Sequence, residues 1–345
     1  MAKISDRYMK QQKIHVNDII MADEATGINL SIVIPVYNEE LNLRECVATI
    51  ENQGMPDDSY EVILVDDGSQ DGSPKICDEI AAKNSNYISV HPQHAGKAEA
   101  INYGLALATG KWVMVVYACD RLISNGLHYA LHVASQHQYI DIIRYDCNKD
   151  FLGTGRHYVN HFGLPRTSRG FIFRVEFLNK HHVFMHDYIY FEDPLFVSHA
   201  IMANSQIICV NRDSYWIGED LYDYRKNKKV EVARKLVRDG LKANSHMFSY
   251  MLRYNIKNNP VAYNLCIDHI NRDKVMVVNQ MLVANYSHSE FKRLRHQCKK
   301  QDFYPVFRWE RTQRCRRKIN NMNRIINSWF IYKLARLFNY SIEEY

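Results

Sequence analysis

The sequence predicts an α/β fold, a mostly parallel sheet with helices on both faces, followed by a helical C-terminal extension. Three observations predict it. The runs Leu30-Ser-Ile-Val-Ile-Pro35, Val62-Ile-Leu-Val65 and Trp112-Val-Met-Val-Val-Tyr117 are too continuously apolar for strands with a solvated face. Between them lie segments with apolar residues at helical spacing, such as Leu43, Val47 and Ile50. Beyond about residue 221, the pairs Val232/Ala233, Leu236/Val237 and Met251/Leu252 recur every three to four residues.

The chain has 345 residues, 46% hydrophobic and 24% charged, enough for a large core and against disorder as its main state. Its net charge of +6 is unevenly spread: residues 221–345 hold 26 Lys+Arg against 10 Asp+Glu, whereas residues 1–220 hold 18 against 28. The two parts therefore face different partners, or each other. The eight cysteines are scattered without a CxxC pair, which fits a reducing cytosol. The N-terminus lacks the apolar core of a signal peptide, and no run approaches the ~18 apolar residues of a membrane span. A cytoplasmic protein, soluble or peripheral on the inner face of the membrane, is expected.

Taken in order, residues 1–28 read as a polar leader and residues 29–220 as the sheet domain. Pro35 is expected to end the first strand. A helix over Leu43 to Ile50 follows, and Gly54 to Asp58 break it before the second strand, which stops at Asp66-Asp-Gly-Ser69. Asp71 to Ser73 can cap a helix carrying Ile76 and Ile80, and Tyr87 to Val90 forms a brief strand. Gly96 opens a helix through Leu107, Gly110 ends it, and Lys111 to Tyr117 is the next strand. Then come a helix near Leu127 to Ser135, a strand over Ile140 to Tyr145 and a Gly-rich loop from Phe151 to Gly163. Residues 221–345 form a basic, mainly helical region. Its last stretch, with Ile319, Met322, Ile325, Trp329/Phe330 and Leu334 on one face and Arg316, Arg317, Arg324 and Lys333 elsewhere, reads as one amphipathic basic helix.

Asp66 and Asp67 stand where open α/β sheets bind ligands, beyond the strands' carboxyl ends. Asp and Ser after a strand also serve as turn and cap residues, so both readings stand for this stretch alone. A carboxylate there can accept from the ring N–H of a nucleotide base, Tyr37 can stack on the base, and Lys97 after Gly96 can meet phosphates.

The order of four motifs narrows the choice. Pro35-Val-Tyr-Asn-Glu39, Val65-Asp-Asp-Gly-Ser69, Gly96-Lys-Ala-x-Ala-x-Asn-x-Gly-Leu105 and Glu192-Asp193 together resemble the family 2 glycosyltransferases over about residues 29–196. The resemblance implies the Rossmann-like GT-A fold and inverting transfer of a sugar from a nucleotide-sugar, with UDP the expected nucleotide. It implies that Pro35, Tyr37, Glu39, Asp66, Asp67 and Lys97 line the donor site, with Asp120 beside them. It also makes Asp193 the general base and Glu192 its support. The acceptor would be a hydroxyl of a cell-surface glycan or of a lipid-linked intermediate.

One motif departs from the family. Its Asp-x-Asp-Asp positions, counted from Gly110-Lys111-Trp112, fall on Tyr117, Ala118, Cys119 and Asp120. Mg²⁺ and Mn²⁺ prefer hard oxygen ligands, so Tyr117 and Cys119 are poor replacements. Three readings follow: Asp120 works with Glu192 or with His186 to hold a divalent cation, cationic side chains replace the metal, or the chain is a non-catalytic nucleotide-sugar-binding or assembly member. The basic tail helix either packs on the protein or meets an anionic membrane surface through Trp329/Phe330. No nucleic-acid module is recognisable.

Overall fold

The computed structural model describes residues 29–123, 125–188, 190–211, 215–218, 229–301, 303, 313–338 and 340–342. The expected leader, residues 1–28, lies outside them. The chain divides into two compact units: Met1–Tyr158, Thr167–Asp187 and Ala203–Asp220 form one, and Val159–Arg166, Tyr188–Met202 and Leu221–Tyr345 form the other.

The first unit is built on an eight-stranded sheet. In chain order its elements begin β1 (Leu30–Val36), α1 (Leu43–Glu51), β2 (Tyr60–Asp66), α2 (Ser73–Ala81), β3 (Tyr87–Val90), α3 (Lys97–Leu107) and β4 (Trp112–Val115). They continue with β5 (Arg121–Leu122), α4 (Gly126–Ser135), β6 (Ile142–Cys147), β7 (Phe151–Thr154), α5 (Gly155–Phe162), β8 (Phe171–Arg174) and α6 (Val175–His181). After α7 (Glu192–Met202) come β9 (Gln206–Asn211) and β10 (Tyr215–Trp216). The sheet order is β3-β2-β1-β4-β8-β6-β9-β7, with β5 and β10 as a separate antiparallel pair. Strands β3, β2, β1 and β4 run parallel, β8 is antiparallel to β4 and β6, β6 and β9 are parallel, and β7 is an antiparallel edge.

Every residue of β1 and β2 is buried, which is the physical meaning of their unbroken apolar runs: both faces of the sheet are covered. Helix α3 supplies part of that cover. A Cβ at Gly104 would lie 2.3 Å from Cγ1 of Val33 and 3.2 Å from Cγ2 of Val65, so only glycine lets the helix approach β1 and β2 so closely. Two residues earlier, buried Asn102 accepts from the amide of Met185 at 2.9 Å and donates to its carbonyl at 2.8 Å, pinning the segment after α6 to α3. The asparagine and the second glycine of the Gly96-to-Leu105 motif thereby gain a structural reason.

Several expectations are corrected. Pro35 does not end β1, whose register continues through Pro35↔Val65 and Val36↔Asp66. The carbonyl of Val33 accepts from Val116 on the β4 side and that of Val36 from Asp67 on the β2 side, so alternation turns the nitrogen of Pro35 toward β4. Pairing with β4 stops at Val33↔Val115, and the missing N–H costs no ladder bond. The segment 151–163 is not a loop: β7 adds to the sheet edge against β9, and α5 buries Tyr158 and Val159. Strand pairing and burial outweigh the local glycines.

The second unit is helical. It contains α7, α8 (Val230–Arg253), α9 (Pro260–Val283), α10 (His288–Lys300), α11 (Gln313–Asn327) and α12 (Trp329–Leu337). Gly240 of α8 meets α9 closely, since a Cβ there would fall 2.3 Å from Cγ2 of Val277. Ser287 and Glu290 form a reciprocal capping box at the start of α10. The single tail helix of the sequence reading breaks at Ser328, whose hydroxyl caps α12 by accepting from Ile331 at 3.4 Å. Trp329 faces inward, stacked on His288 and Tyr332 at 5.3 Å each, whereas Phe330 and Leu337 are exposed. Tyr332 donates to the carbonyl of Met281 at 3.0 Å and accepts from the amide of Tyr286 at 2.9 Å. The tail therefore packs on α9 through Tyr332, and Trp329 and Phe330 do not share one outward face. The side chain of Arg316 lies outside the described residues.

Gly104→Ala should lower stability by about 1–3 kcal/mol, because the new methyl must displace stiff valine side chains in a closed sheet–helix contact. The midpoint of thermal or urea unfolding checks this, and an unchanged midpoint would remove the close approach as the reason for glycine.

Candidate active site

The carboxyl ends of β1, β2 and β3 are stitched together by short-range polar contacts. Asn38, held in the left-handed region at φ 56, donates its amide to the Ser69 hydroxyl at 2.9 Å and accepts from the amide of Gln70 at 2.8 Å. The amide of Glu39 donates to the Ser73 hydroxyl at 2.8 Å, and its carboxylate accepts from Asn42 at 2.9 Å. The amide of Glu40 donates to Asp71, and its carboxylate in turn accepts from Gly72. The Pro35–Glu39 and Asp66–Ser73 motifs are thus two halves of one rim.

Asp66 and Asp67 are both buried, with separate tasks. Asp66 accepts from the amide of Ser69 at 3.3 Å, and its other oxygen lies 3.3 Å from Nδ1 of His91. Nε2 of His91 lies 2.9 Å from Asp78, which also accepts from Ser89. Burial works against the charged imidazole, yet the bonds to Asp78 and Asp66 win and hold His91 above its ordinary value. Asp67 accepts from the amides of Ala95 at 2.9 Å and Gly96 at 3.0 Å, and His94 lies 3.1 Å from it. It shapes the turn before α3. That turn needs Gly96 at φ 100 and delivers Lys97 as the first residue of the helix. Half-exposed Tyr37 already stacks on His94, with ring centroids 5.3 Å apart. Of the expected donor residues, the structure brings Pro35, Tyr37, Glu39, Asp66, Asp67 and Lys97 to this one rim. His91 and His94 were missed, although His94 stands two residues before the Gly-Lys motif.

The altered tetrapeptide 117–120 lies in the turn after β4. Asp120 is completely buried, and each of its oxygens has a partner. Oδ2 accepts from the Tyr215 hydroxyl at 2.6 Å and sits 2.9 Å from Nε of Arg169, while Oδ1 accepts from the amide of Gly218 at 3.0 Å. The β5–β10 pairing carries Tyr215 to this place, and a Cβ at Gly218 would fall 2.0 Å from the carbonyl oxygen of Cys119. Burial raises the pKa of Asp120, opposed by Arg169, Tyr215 and Gly218. Tyr215 is held well above the usual phenol value by burial and by the adjacent Asp120, and so stays a donor.

Arg169 touches each functional member of the tetrapeptide. Its guanidinium carbon lies 4.5 Å from the Tyr117 ring centroid and Nη2 lies 3.7 Å from Sγ of Cys119, in addition to the Asp120 pair. Nζ of Lys97 lies 5.4 Å from the same Tyr117 centroid. The residues present do not suit a divalent cation. One fully buried acid held by an arginine, a thiol and a buried phenol make a poor donor set for a hard ion. His186, expected as a partner of Asp120, packs instead on Phe184 with ring centroids 4.7 Å apart and is not among the groups that engage Asp120. Among the described residues, no group of three His, Cys, Asp or Glu side chains is placed to hold a metal.

Glu192 and Asp193 occupy the first turn of α7 in the second unit, both buried. Just before them Tyr190 takes the left-handed conformation at φ 73, strained for an aromatic residue. Arg166 restrains it, donating to the Tyr190 hydroxyl at 3.1 Å and to Asp273 at 2.7 Å. Nothing local in the sequence singles out Arg166 or Arg169; both lie in an irregular loop.

A sheet whose carboxyl edge concentrates buried acids, a stacking tyrosine and a helix-start lysine belongs to the ligand-binding α/β class. Residues 31–196, a little under half of the chain, match the glycosyl transferase family 2 model. Among curated relatives, the minor teichoic acid biosynthesis protein GgaB of Bacillus subtilis is 31% identical over 142 residues, 41% of this chain and 16% of that protein. The poly(ribitol-phosphate) beta-glucosyltransferase of Bacillus spizizenii is 34% identical over 102 residues, 29% of this chain and 16% of that one. The chain thus spans well under two thirds of these relatives. The crystal structure of S. aureus TarS 1–349 in complex with UDP-GlcNAc superposes with a TM-score of 0.51 at 17% identity, covering 91% of this chain and 93% of that one. That likeness bears on the fold, a GT-A architecture with C-terminal helices.

The raised pKa of His91 fixes the sign of a pH effect. Its ion pairs contribute stability that is fully present below the unfolded value of 6.5 and is lost as pH rises through the higher folded-state value. The difference in thermal midpoint between the parent and His91→Gln should therefore be largest below pH 6.5 and shrink in alkaline buffer; a difference that grows with pH would contradict the assignment.

Proposed function

We propose that this chain is an inverting glycosyltransferase that moves a sugar from a UDP-sugar to a hydroxyl of a cell-surface glycan or a lipid-linked precursor of one. The observation that carries the reading is the single rim formed by the Pro35–Glu39, Asp66–Ser73 and Gly96-Lys97 motifs at the sheet's carboxyl edge. In this reading Asp66 accepts from the base, Tyr37 stacks on it after leaving His94, and Glu39 lies near the ribose. Lys97 meets the diphosphate at the N-terminus of α3, where backbone amides and the helix dipole also favour an anion. Residues 29–220 would form the catalytic domain and residues 221–345 its helical companion. The names of the relatives support an acceptor of the teichoic-acid or polyol-phosphate class.

Asp193 is assigned the general base. The acceptor O–H attacks the anomeric carbon as the bond from that carbon to the diphosphate oxygen breaks. The electron pair leaves with UDP, and the acceptor's proton passes to Asp193, so the anomeric centre is inverted. Glu192 orients the base. The strained Tyr190, restrained by Arg166, fixes the entry into α7 and hence the direction of both acids.

With Asp193→Asn, sugar transfer from a UDP-sugar should fall about 10²–10⁴-fold while the calorimetric affinity for UDP stays unchanged. Unchanged transfer would remove Asp193 from the mechanism, and lost UDP binding would make its role structural.

A further inference from the structure

We propose that Arg169, acting with Lys97, stands in for the divalent cation at the donor diphosphate, so that the chain binds and releases its nucleotide without metal. This rests on the donor-site reading above and adds to it which groups take up the charge of the leaving diphosphate.

The argument begins with Asp120. A carboxylate that is to hold a divalent ion must be open to it, whereas Asp120 is fully buried and its oxygens face Tyr215, Gly218 and Arg169. The ion pair to Arg169 is largely Coulombic, because Nε lies 2.9 Å from Oδ2 without the alignment of a good hydrogen bond. A metal entering beside Asp120 would have to displace a guanidinium whose side chain is 13% exposed and strip a buried carboxylate of its partners.

The charge balance gives the second step. Arg169 and Lys97 together carry the same charge as one divalent ion. Arg169 and Lys97 lie within 4.5 Å and 5.4 Å of the centroid of one ring, that of Tyr117, with Asp120 as the carboxylate beside Arg169. Two cations gathered at one aromatic ring make a place that a diphosphate can bridge. Tyr117 and Cys119 then have a reason to replace carboxylates. An aromatic face and a thiol accept a guanidinium without adding negative charge that would cancel it, and Arg169 contacts both.

The fan-shaped guanidinium also suits the task, since it offers further N–H groups to phosphate oxygens while Nε remains with Asp120. During transfer the leaving UDP keeps the electron pair of the broken bond, and Arg169 and Lys97 stabilise the added negative charge in place. Charge stabilisation by fixed groups of this kind replaces Lewis-acid assistance without a change in the overall reaction.

The test is calorimetric titration of the full chain with UDP and with uridine, in excess EDTA and in saturating Mn²⁺. The variants are Arg169→Met/Asp120→Asn, which removes both members of the buried pair together, and Lys97→Met. UDP should bind the parent equally well, within about twofold, in EDTA and in Mn²⁺. Each variant should weaken UDP by about ten- to a hundredfold while leaving uridine affinity, which reports the base site and the folded state, within about twofold. UDP binding that appears only with Mn²⁺ would overturn the inference and leave the donor site standing. Undiminished UDP affinity of the double variant in EDTA would remove Arg169 from the diphosphate site. Failure of the parent to bind UDP in either buffer would overturn the donor-site reading itself and the inference with it.

Discussion

The carboxylate of Asp67 is the contact on which the rest of the site depends. It leaves the end of β2 and accepts from the amides of Ala95 and Gly96, so one buried acid fixes the turn that starts α3. A carboxylate accepting several backbone amides is a strong and directional joint in a place shielded from water. Through it the position of Lys97, the close packing of Gly104 on β1 and β2 and the Asn102–Met185 bonds all follow from where the sheet ends. The Asp66–Asp67 pair is therefore divided in labour. One acid faces the rim and its histidine, and the other builds the wall.

Asp120 shows the same economy turned to another end. Burying a carboxylate completely is costly unless each oxygen is compensated, and the compensation here comes from three places distant in sequence: the loop residue Arg169, Tyr215 on β10 and the amide of Gly218. At 117 and 119, where the family resemblance implies carboxylates, this chain has a tyrosine and a cysteine that Arg169 contacts. A sequence comparison that scores only the missing acids registers a loss, whereas the folded chain presents a rearranged charge cluster.

Much of the sheet was legible because its signals are local. The apolar runs of β1, β2 and β4, the intervening helical spacing and the abrupt Asp-Asp-Gly-Ser stop all survive in the fold, as do the four ordered motifs. The failures share a cause. Pro35 remains in β1 because the neighbouring strand has already ended on the side its nitrogen faces. Residues 151–163 form a strand and a helix because an edge of the sheet is available to pair with. The tail divides at Ser328 because a hydroxyl cap and the inward packing of Trp329 favour a break. In the first two cases the deciding partner is remote in the chain, and in the third a remote ring, His288, acts with a local hydroxyl cap.

The sequence by itself determined the α/β class, the carboxyl-edge location of Asp66 and Asp67, the lysine at the start of α3 and the absence of acids at 117 and 119. These properties depend on residue type, period and order, which a linear chain displays in full. Only the tertiary structure decided that Asp67 is a builder of the wall, that His91 and His94 complete the rim, that His186 packs on Phe184 and that Arg169 covers the altered tetrapeptide. The reason is electrostatic. The partner of a buried charge is chosen by proximity in space, and an arginine in an irregular loop carries no periodic mark of the carboxylate it will meet.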